Sequence, residues 1–302
     1  MAQLLYMARP QFLIAGLGLF GFGVSWAVVS GATFPLLKVL IAYLVLMPAH
    51  LSVSYSNDYF DFDVDKFGKP TLFTGGSGVL IAQPDLQKSA LWTAIILTFC
   101  SLLLGVVYQV VYSFSILFSG FLLLGNLLGW FYSAPPVKLA YRGLGELSMI
   151  FTIGFLIPGL GYLVTYGQLD LNGMIFMIPL MLYGLGFILT VEIPDMEADR
   201  LGHKRTWVAR KGRIFGYHGL TVSFLLATLF FVCFPWLTRR SYPVNFQILS
   251  VFSLLPLGAG CVGILKRSIE KRAATQIVNG IMIALVVFCA LADGYMVYLN
   301  FR

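Results

Sequence analysis

Residues 36–65 read LLKVLIAYLVLMPAHLSVSYSNDYFDFDVD, and the contrast between the two ends of that stretch decides the fold class. Its apolar part carries one Lys and one His but no carboxylate before Asp58, after which Asp61, Asp63 and Asp65 follow in quick succession. Roughly 20 apolar residues carry an α-helix across the ~30 Å hydrocarbon core of a bilayer, so this is a helix leaving a membrane into a cluster of acids. Outward from it, similar stretches fall near 10–29, 36–56, 90–108, 114–132, 147–166, 174–193, 215–237, 246–265 and 277–299. The chain is 59% hydrophobic and 11% charged, against about 25% charged in an average soluble domain. A large soluble helical domain is the other reading, but soluble helices rarely run so long without charge. The expectation is an all-α integral membrane protein, a bundle of nine transmembrane helices, with residues 1–302 forming one transmembrane domain and no soluble insert.

The segment before the first span is too short and too weakly charged for a cleaved signal and reads as retained. Cys100, Cys233, Cys261 and Cys289 all fall inside apolar spans and none is in a C-x-x-C pair, so they read as buried packing residues. With the N-terminus cytoplasmic, 16 of the 20 basic residues fall in cytoplasmic segments, leaving Lys38, Arg239, Arg240 and Arg302 outside. The positive-inside rule then fixes the orientation, with the C-terminus outside, and the expected location is the cell (inner) membrane, as a multi-pass protein. Topology accounts for the net charge of +7 without a nucleic-acid partner.

Topology does not account for the acids. Of 13 carboxylates, 11 lie on the same cytoplasmic side, eight of them in two short runs. The first run, Asn57 to Asp65, continues its span with no helix breaker before Gly68; on one helix Asp58, Asp61 and Asp65 share a face within about 60°, with Asp63 opposite. Three carboxylates on one face repel, and a divalent cation removes that repulsion. Hard oxygen ligands at this spacing suit Mg²⁺, which shares its shell with water and substrate phosphates. The second run is Glu192 to Asp199, with Asp195 and Asp199 one turn apart, Glu192 on nearly the same face, Glu197 turned away, and Pro194 expected to kink or break the helix. The other reading of either run is a solvated helix end; two such runs on one side of one membrane domain argue against it. Asp293, alone well inside a span, reads as paired or snorkelling.

Basic, glycine-containing loops follow each run. After the first come Lys66, Gly68, Lys69 and Thr74-Gly75-Gly76-Ser77-Gly78; after the second come Arg200, Gly202, His203, Lys204, Arg205, Thr206, Arg210 and Lys211. Glycines admit an anion close to backbone amides, and Lys or Arg neutralise it; taken alone, Gly75 to Gly78 reads as a flexible linker. A third loop holds Tyr132, Pro135-Pro136 as a rigid extended connection, Lys138, Tyr141, Arg142 and Glu146. Two carboxylate clusters ringed by Lys and Arg form a site for a diphosphate, and a site opening into lipid implies an apolar remainder such as an isoprenoid. Loss of the diphosphate leaves an allylic cation, which π faces stabilise; Tyr55, Tyr59, Phe60, Phe62, Tyr132 and Tyr141 flank the motifs.

Asn57-Asp58-x-x-Asp61-x-x-x-Asp65 resembles the NDxxDxxxD motif of the UbiA superfamily of membrane prenyltransferases, and Asp195-x-x-x-Asp199 resembles its DxxxD motif. Arg9-Pro10 is similar to the family's opening Arg-Pro, and His203-Lys204-Arg205-Thr206 to its GKRT, with His in place of Gly. The resemblance covers the whole chain. It implies a bundle around a central cavity that opens to the cytoplasmic side and sideways into lipid. Two Mg²⁺ ions would be held, one by Asn57, Asp58, Asp61 and Asp65 and one by Asp195 and Asp199. Lys138, Lys204 and Arg205, with Arg9, Lys66, Lys69 and Arg142 around them, would bind the diphosphate. Asp61, Asp195, Lys138 and Tyr132 are the catalytic candidates, and the partners are a polyprenyl diphosphate, an aromatic acceptor and membrane lipid.

The Phe73 to Leu80 loop, the Tyr132 to Glu146 loop and the Pro194-Asp195 pair resemble the members that prenylate 1,4-dihydroxy-2-naphthoate in menaquinone synthesis. Members acting on 4-hydroxybenzoate, homogentisate or geranylgeranylglyceryl phosphate share much of the pattern. A transporter, the reading from another class, would place charge near the bilayer midplane on broken helices, where this chain has only Asp293 well inside a span.

Overall fold

The computed structural model describes residues 2–71, 73–237 and 242–300; Arg239, Arg240 and Arg302 lie outside them. Among the described residues nine helices are long and apolar enough to cross a membrane. They are α1 (Pro10–Val29), α2 (Leu36–Phe60), α3 (Gln87–Val111), α4 (Ile116–Ser133), α5 (Gly145–Tyr166), α6 (Leu171–Leu201), α7 (Arg213–Leu237), α8 (Phe246–Lys266) and α9 (Lys271–Asn300). Several outrun their apolar parts. Hydropathy reports only what lipid covers, whereas backbone hydrogen bonding continues the helix into the polar end.

Six helices close into a ring, α1 packing on α5 and α9, α6 on α5 and α7, and α8 on α7 and α9, while α2 packs on α3 and α4 and joins the ring at α1 and α5. Helices in lipid gain little from hydrophobicity toward one another and associate through close backbone approach at small residues. A Cβ on Gly23 of α1 would overlap the Pro158 carbonyl of α5, and one on Gly161 of α5 would overlap the Phe20 carbonyl of α1. Gly154 lies in a π-helical stretch of α5, Thr152–Leu156, where it meets the Met181 backbone of α6. Away from the site, Trp26 stacks on Phe176 at 4.0 Å and joins α1 to α6.

The outward faces expose large apolar side chains, among them Trp92, Phe99, Leu103, Ile116 and Leu265. Exposure on that scale suits contact with lipid rather than water. Three cysteines lie on this surface: Cys100, Cys233 and Cys261 are exposed and Cys289 is half-buried, all as free thiols. They are not core packing residues, because an apolar thiol is equally at home against lipid.

Three other expectations are corrected. The first acidic run is not one continuous helix: α2 ends at Phe60, Asp61 leaves helical geometry at φ −96° and ψ 6°, and a short helix spans Phe62–Asp65. Pro194 does not end α6, which runs through it to Leu201; Arg213 Nε of α7 donates to the neighbouring Ile193 carbonyl at 2.9 Å and ties α7 to α6 there. The Pro135-Pro136 segment is a turn with a cis bond, not an extended rod, and the Lys138 N–H closes it on the Ala134 carbonyl at 2.9 Å.

Gly23→Ala places a methyl against the backbone of α5, and overpacking of this kind costs ~1–3 kcal/mol or more. Its thermal unfolding midpoint in detergent falls clearly below wild type. Gly21→Ala, with nothing within 4 Å of the added Cβ, leaves that midpoint unchanged.

Candidate functional site

At one end of the bundle the two acidic runs meet. Asp61 is buried, and its carboxylate accepts three hydrogen bonds from three parts of the chain: Ser133 of α4 at 2.7 Å, Tyr141 at 2.8 Å and Lys204 Nζ at 2.8 Å. Leaving helical geometry at Asp61 aims it at these donors. Lys204 joins the runs, forming its ion pair with Asp61 and sitting in the field of Asp199 as well. Asp199 is held by the Thr206 hydroxyl at 3.0 Å, and Asp195 accepts the Gly75 N–H at 2.8 Å. Asp58 accepts the Ser77 N–H at 3.1 Å and its hydroxyl as well. As expected, Asp63 and Glu197 face away, to Lys66 and Arg213.

The Gly75 to Gly78 segment is therefore not a free linker. It crosses both runs, and at Gly76 an added Cβ would overlap the Asp65 carboxylate. Gly75 and Gly78 both have φ near +75°, a conformation glycine adopts without a Cβ penalty. His203, standing where the resemblance expects Gly, takes the left-handed φ of 59° and sets the turn that presents Lys204. Beside the loop lies a pocket of about 300 Å³ lined by Gln3, Tyr6, Ser77, Gly78, Val79 and Ala82.

The candidate cations divide. Lys204 is among the carboxylates, and half-buried Arg9, with φ 49°, faces Asp58, Asp65 and Asp195. Lys138 lies over the Tyr141 ring at 4.8 Å, on the residue that donates to Asp61. Lys66 turns to Asp63, Arg142 donates to the Pro136 carbonyl at 2.9 Å, and Lys66, Lys69, Arg142 and Arg205 are all exposed. Tyr132, at the end of α4, is in the field of Glu192, Lys204, Asp199 and Glu146. Burial pushes the Asp65 carboxyl up to about 7; Lys204 opposes that shift, and the neighbouring carboxylates add to it. Burial alone would lower the Lys204 ammonium, but Asp61 and Asp199 more than offset it and hold it well above the ordinary lysine value.

Among the described residues no three His, Cys, Asp or Glu side chains converge on a single preformed metal position. Protein donors and the Lys204 ammonium take up the carboxylates instead. The donor set is nevertheless all hard oxygen, and Asn57 Oδ1 is buried with no hydrogen-bond partner, an acceptor suited to a hard cation. Sequence reading did not find Ser133, Thr206 or Ser77 as partners of the carboxylates. A lone hydroxyl has no periodic signature, although Thr206 does stand at the N-cap of the short helix Trp207–Lys211. Asp293 forms no ion pair among the described residues: it sits half-buried beside Gly18 of α1, and its Oδ1 has no partner.

A profile of the UbiA prenyltransferase family matches residues 17–282. The 1,4-dihydroxy-2-naphthoate octaprenyltransferase of Bacillus subtilis (strain 168) is 25% identical over 187 residues, 62% of this chain and 57% of that protein. The match thus spans little more than half of the curated relative's length. In structure the chain is similar to a UbiA homologue from Archaeoglobus fulgidus bound to GPP and Mg²⁺, with a TM-score of 0.70 at 14% identity over 97% of this chain and 99% of that one. It is also similar to a digeranylgeranylglyceryl phosphate synthase, with a TM-score of 0.67 at 16% identity over 99% and 100% of the two chains. At these identities the structural likeness establishes the fold.

Removing one partner of a buried ion pair leaves an uncompensated charge, at a cost of ~3–5 kcal/mol. Lys204→Met therefore destabilises the protein strongly at pH 8, where the surrounding carboxylates are ionised. The deficit shrinks toward pH 5, as protons take over the neutralisation. Thermal unfolding of the two proteins across that pH range checks both the size and the sign.

Proposed function

This chain belongs to the UbiA prenyltransferase family, and we propose that it transfers a polyprenyl group from an allylic prenyl diphosphate to an aromatic acceptor, 1,4-dihydroxy-2-naphthoate, in menaquinone synthesis. The observation that carries the reading is the convergence of two acidic runs, more than 120 residues apart in sequence, on Lys204 and the Gly75 to Ser77 backbone.

Asn57, Asp58, Asp61 and Asp65 would hold one Mg²⁺, and Asp195 and Asp199 a second. When bound, the ions neutralise the diphosphate and make it a better leaving group. The Ser77 and Gly75 amides and Lys204, which now hold these carboxylates, would be the donors that face the diphosphate. Lys204 and Arg9 supply positive charge there, and Lys138 supplies it beside Tyr141. Breaking the prenyl C1–O bond leaves the electron pair on diphosphate and an allylic cation, which the Tyr132 and Tyr141 rings stabilise. The ring carbon bearing the acceptor's carboxylate attacks that cation. The new C–C bond forms as the carboxylate leaves as CO₂ and returns its electron pair to the ring. No strong general base is needed. Similarity to the Bacillus subtilis naphthoate enzyme supports this acceptor, as does the slender Gly75-Gly76 loop, which leaves room for a second ring.

The acidic end is proposed to face the cytoplasm, with the C-terminus outside and the central cavity open to the cytoplasmic side and to lipid. The basic residues of the segments around the site support that orientation.

Purified protein given Mg²⁺, geranylgeranyl diphosphate and equal concentrations of 1,4-dihydroxy-2-naphthoate, 4-hydroxybenzoate, homogentisate and geranylgeranylglyceryl phosphate yields chiefly the decarboxylated naphthol adduct by mass spectrometry. A different adduct overturns the acceptor; no adduct at all overturns the transferase. Asp61→Ala and Asp195→Ala abolish turnover while still purifying folded, and turnover in excess EDTA contradicts the metal assignment. For topology, Arg210→Cys in a variant whose exposed native thiols are serines reacts with an impermeant maleimide in inverted vesicles. Labelling in intact cells reverses the orientation.

A further inference from the structure

Behind the carboxylate site lies a second acidic contact. Glu146, at the start of α5, and Glu192, in α6, are fully and almost fully buried, at 0% and 4% exposure. The two side chains lie within hydrogen-bonding reach of one another. Each has one oxygen in use: Glu146 Oε1 accepts the Trp207 N–H, and Glu192 Oε2 accepts the Val208 N–H at 3.4 Å. The remaining oxygens, Glu146 Oε2 and Glu192 Oε1, are buried with no partner. Two buried acceptors side by side without a donor repel and are costly to leave unsatisfied. One proton held between them satisfies both, as in paired carboxyls that cannot both ionise.

We propose that Glu146 and Glu192 form a proton-sharing carboxyl pair that positions the 204–208 segment, and with it Lys204 and Thr206, against the carboxylate site. The pair grips two consecutive amides, Trp207 and Val208, immediately after the residues that contact Asp61 and Asp199. The ionisable groups facing the pair are Tyr132 from α4 and Asp199 from α6, and Lys204 of the segment faces that same Tyr132 and Asp199. With the proton, the pair carries one negative charge near Lys204. Without it, two buried carboxylates push α5 and α6 apart at the place where the segment is anchored. These are positioning residues, acting on the substrate only through Lys204 and Thr206.

Glutamine reproduces the protonated form: in Glu192→Gln the side-chain amide keeps an oxygen for the Val208 N–H and offers an N–H to Glu146 Oε2. The test has two arms. In infrared difference spectra of the purified protein at neutral pH, wild type minus Glu192→Gln shows a protonated-carboxyl C=O band. This arm is independent of the proposed activity, and absence of the band overturns the shared proton. The kinetic arm rests on the prenyltransferase reading. Glu192→Gln keeps the KM for geranylgeranyl diphosphate within about twofold of wild type, whereas Glu192→Ala raises it roughly tenfold, the effect of one lost charge-assisted contact, with the acceptor KM unchanged. Glu192→Gln as impaired as Glu192→Ala overturns the positioning role. Should Glu192→Ala not fold, Glu146→Gln replaces it, expected to match Glu192→Gln in both spectrum and KM; a large loss overturns the pair.

Discussion

A single ammonium group holds the polar end of this bundle together. Lys204 Nζ sits 2.8 Å from Asp61 and in the fields of Asp199, Tyr132 and Tyr141, so groups from α4, α6, the end of α2 and the loop after α4 share one positive charge. Buried carboxylates at this density repel unless a cation or protons intervene. Lys204 supplies the cation, and the 75–77 backbone and the hydroxyls of Ser77, Ser133, Tyr141 and Thr206 supply hydrogen bonds. The loops are ordered around the acids because the acids need donors.

The membrane end of the fold obeys another constraint. Lipid supplies no water to satisfy backbone groups, so every span is helical, and contact between helices depends on shape. The reciprocal insets of Gly23 and Gly161 and the Gly154 approach to Met181 let α1, α5 and α6 cross closely. The α1, α5 and α6 contacts join neighbouring helices of the bundle, and α6 carries the second acidic run. Packing deep in the bilayer thereby fixes the separation of charged groups at its edge.

How much of this was legible in the sequence follows from the range of the forces. The nine spans are a matter of length and local polarity, and they were readable residue by residue. The two acidic runs were readable because their spacing matches a helical turn and because Lys and Arg gather in the loops that follow them. The break at Asp61 was not, because its partners Ser133, Tyr141 and Lys204 lie 72, 80 and 143 residues away. The folding of Gly75 to Gly78 over the carboxylates was hidden for the same reason: glycines permit a close approach without specifying its target. Among the cations, charge alone did not separate Lys204, drawn inward, from Lys69 or Arg205, left at the surface. Glu146 was visible only as one more acid on the charged side, and Glu192 only as a member of the second run.

The length of α6 shows why such a site stands at a membrane edge. At ~1.5 Å per residue, the 31 residues from Leu171 to Leu201 extend about 46 Å, well past the ~30 Å hydrocarbon core. Asp195 lies roughly 36 Å along the helix from Leu171, beyond the depth at which an ionised group is prohibitively costly. Pro194 falls at that crossing without interrupting the helix, so α6 connects the lipid-embedded core to the acids as one element. Under the proposed function the substrate has the same division. A diphosphate cannot enter hydrocarbon and an isoprenoid chain gains nothing by leaving it, so the scissile bond can sit only at the boundary where the apolar helices give way to Asp58, Asp61, Asp195 and Asp199.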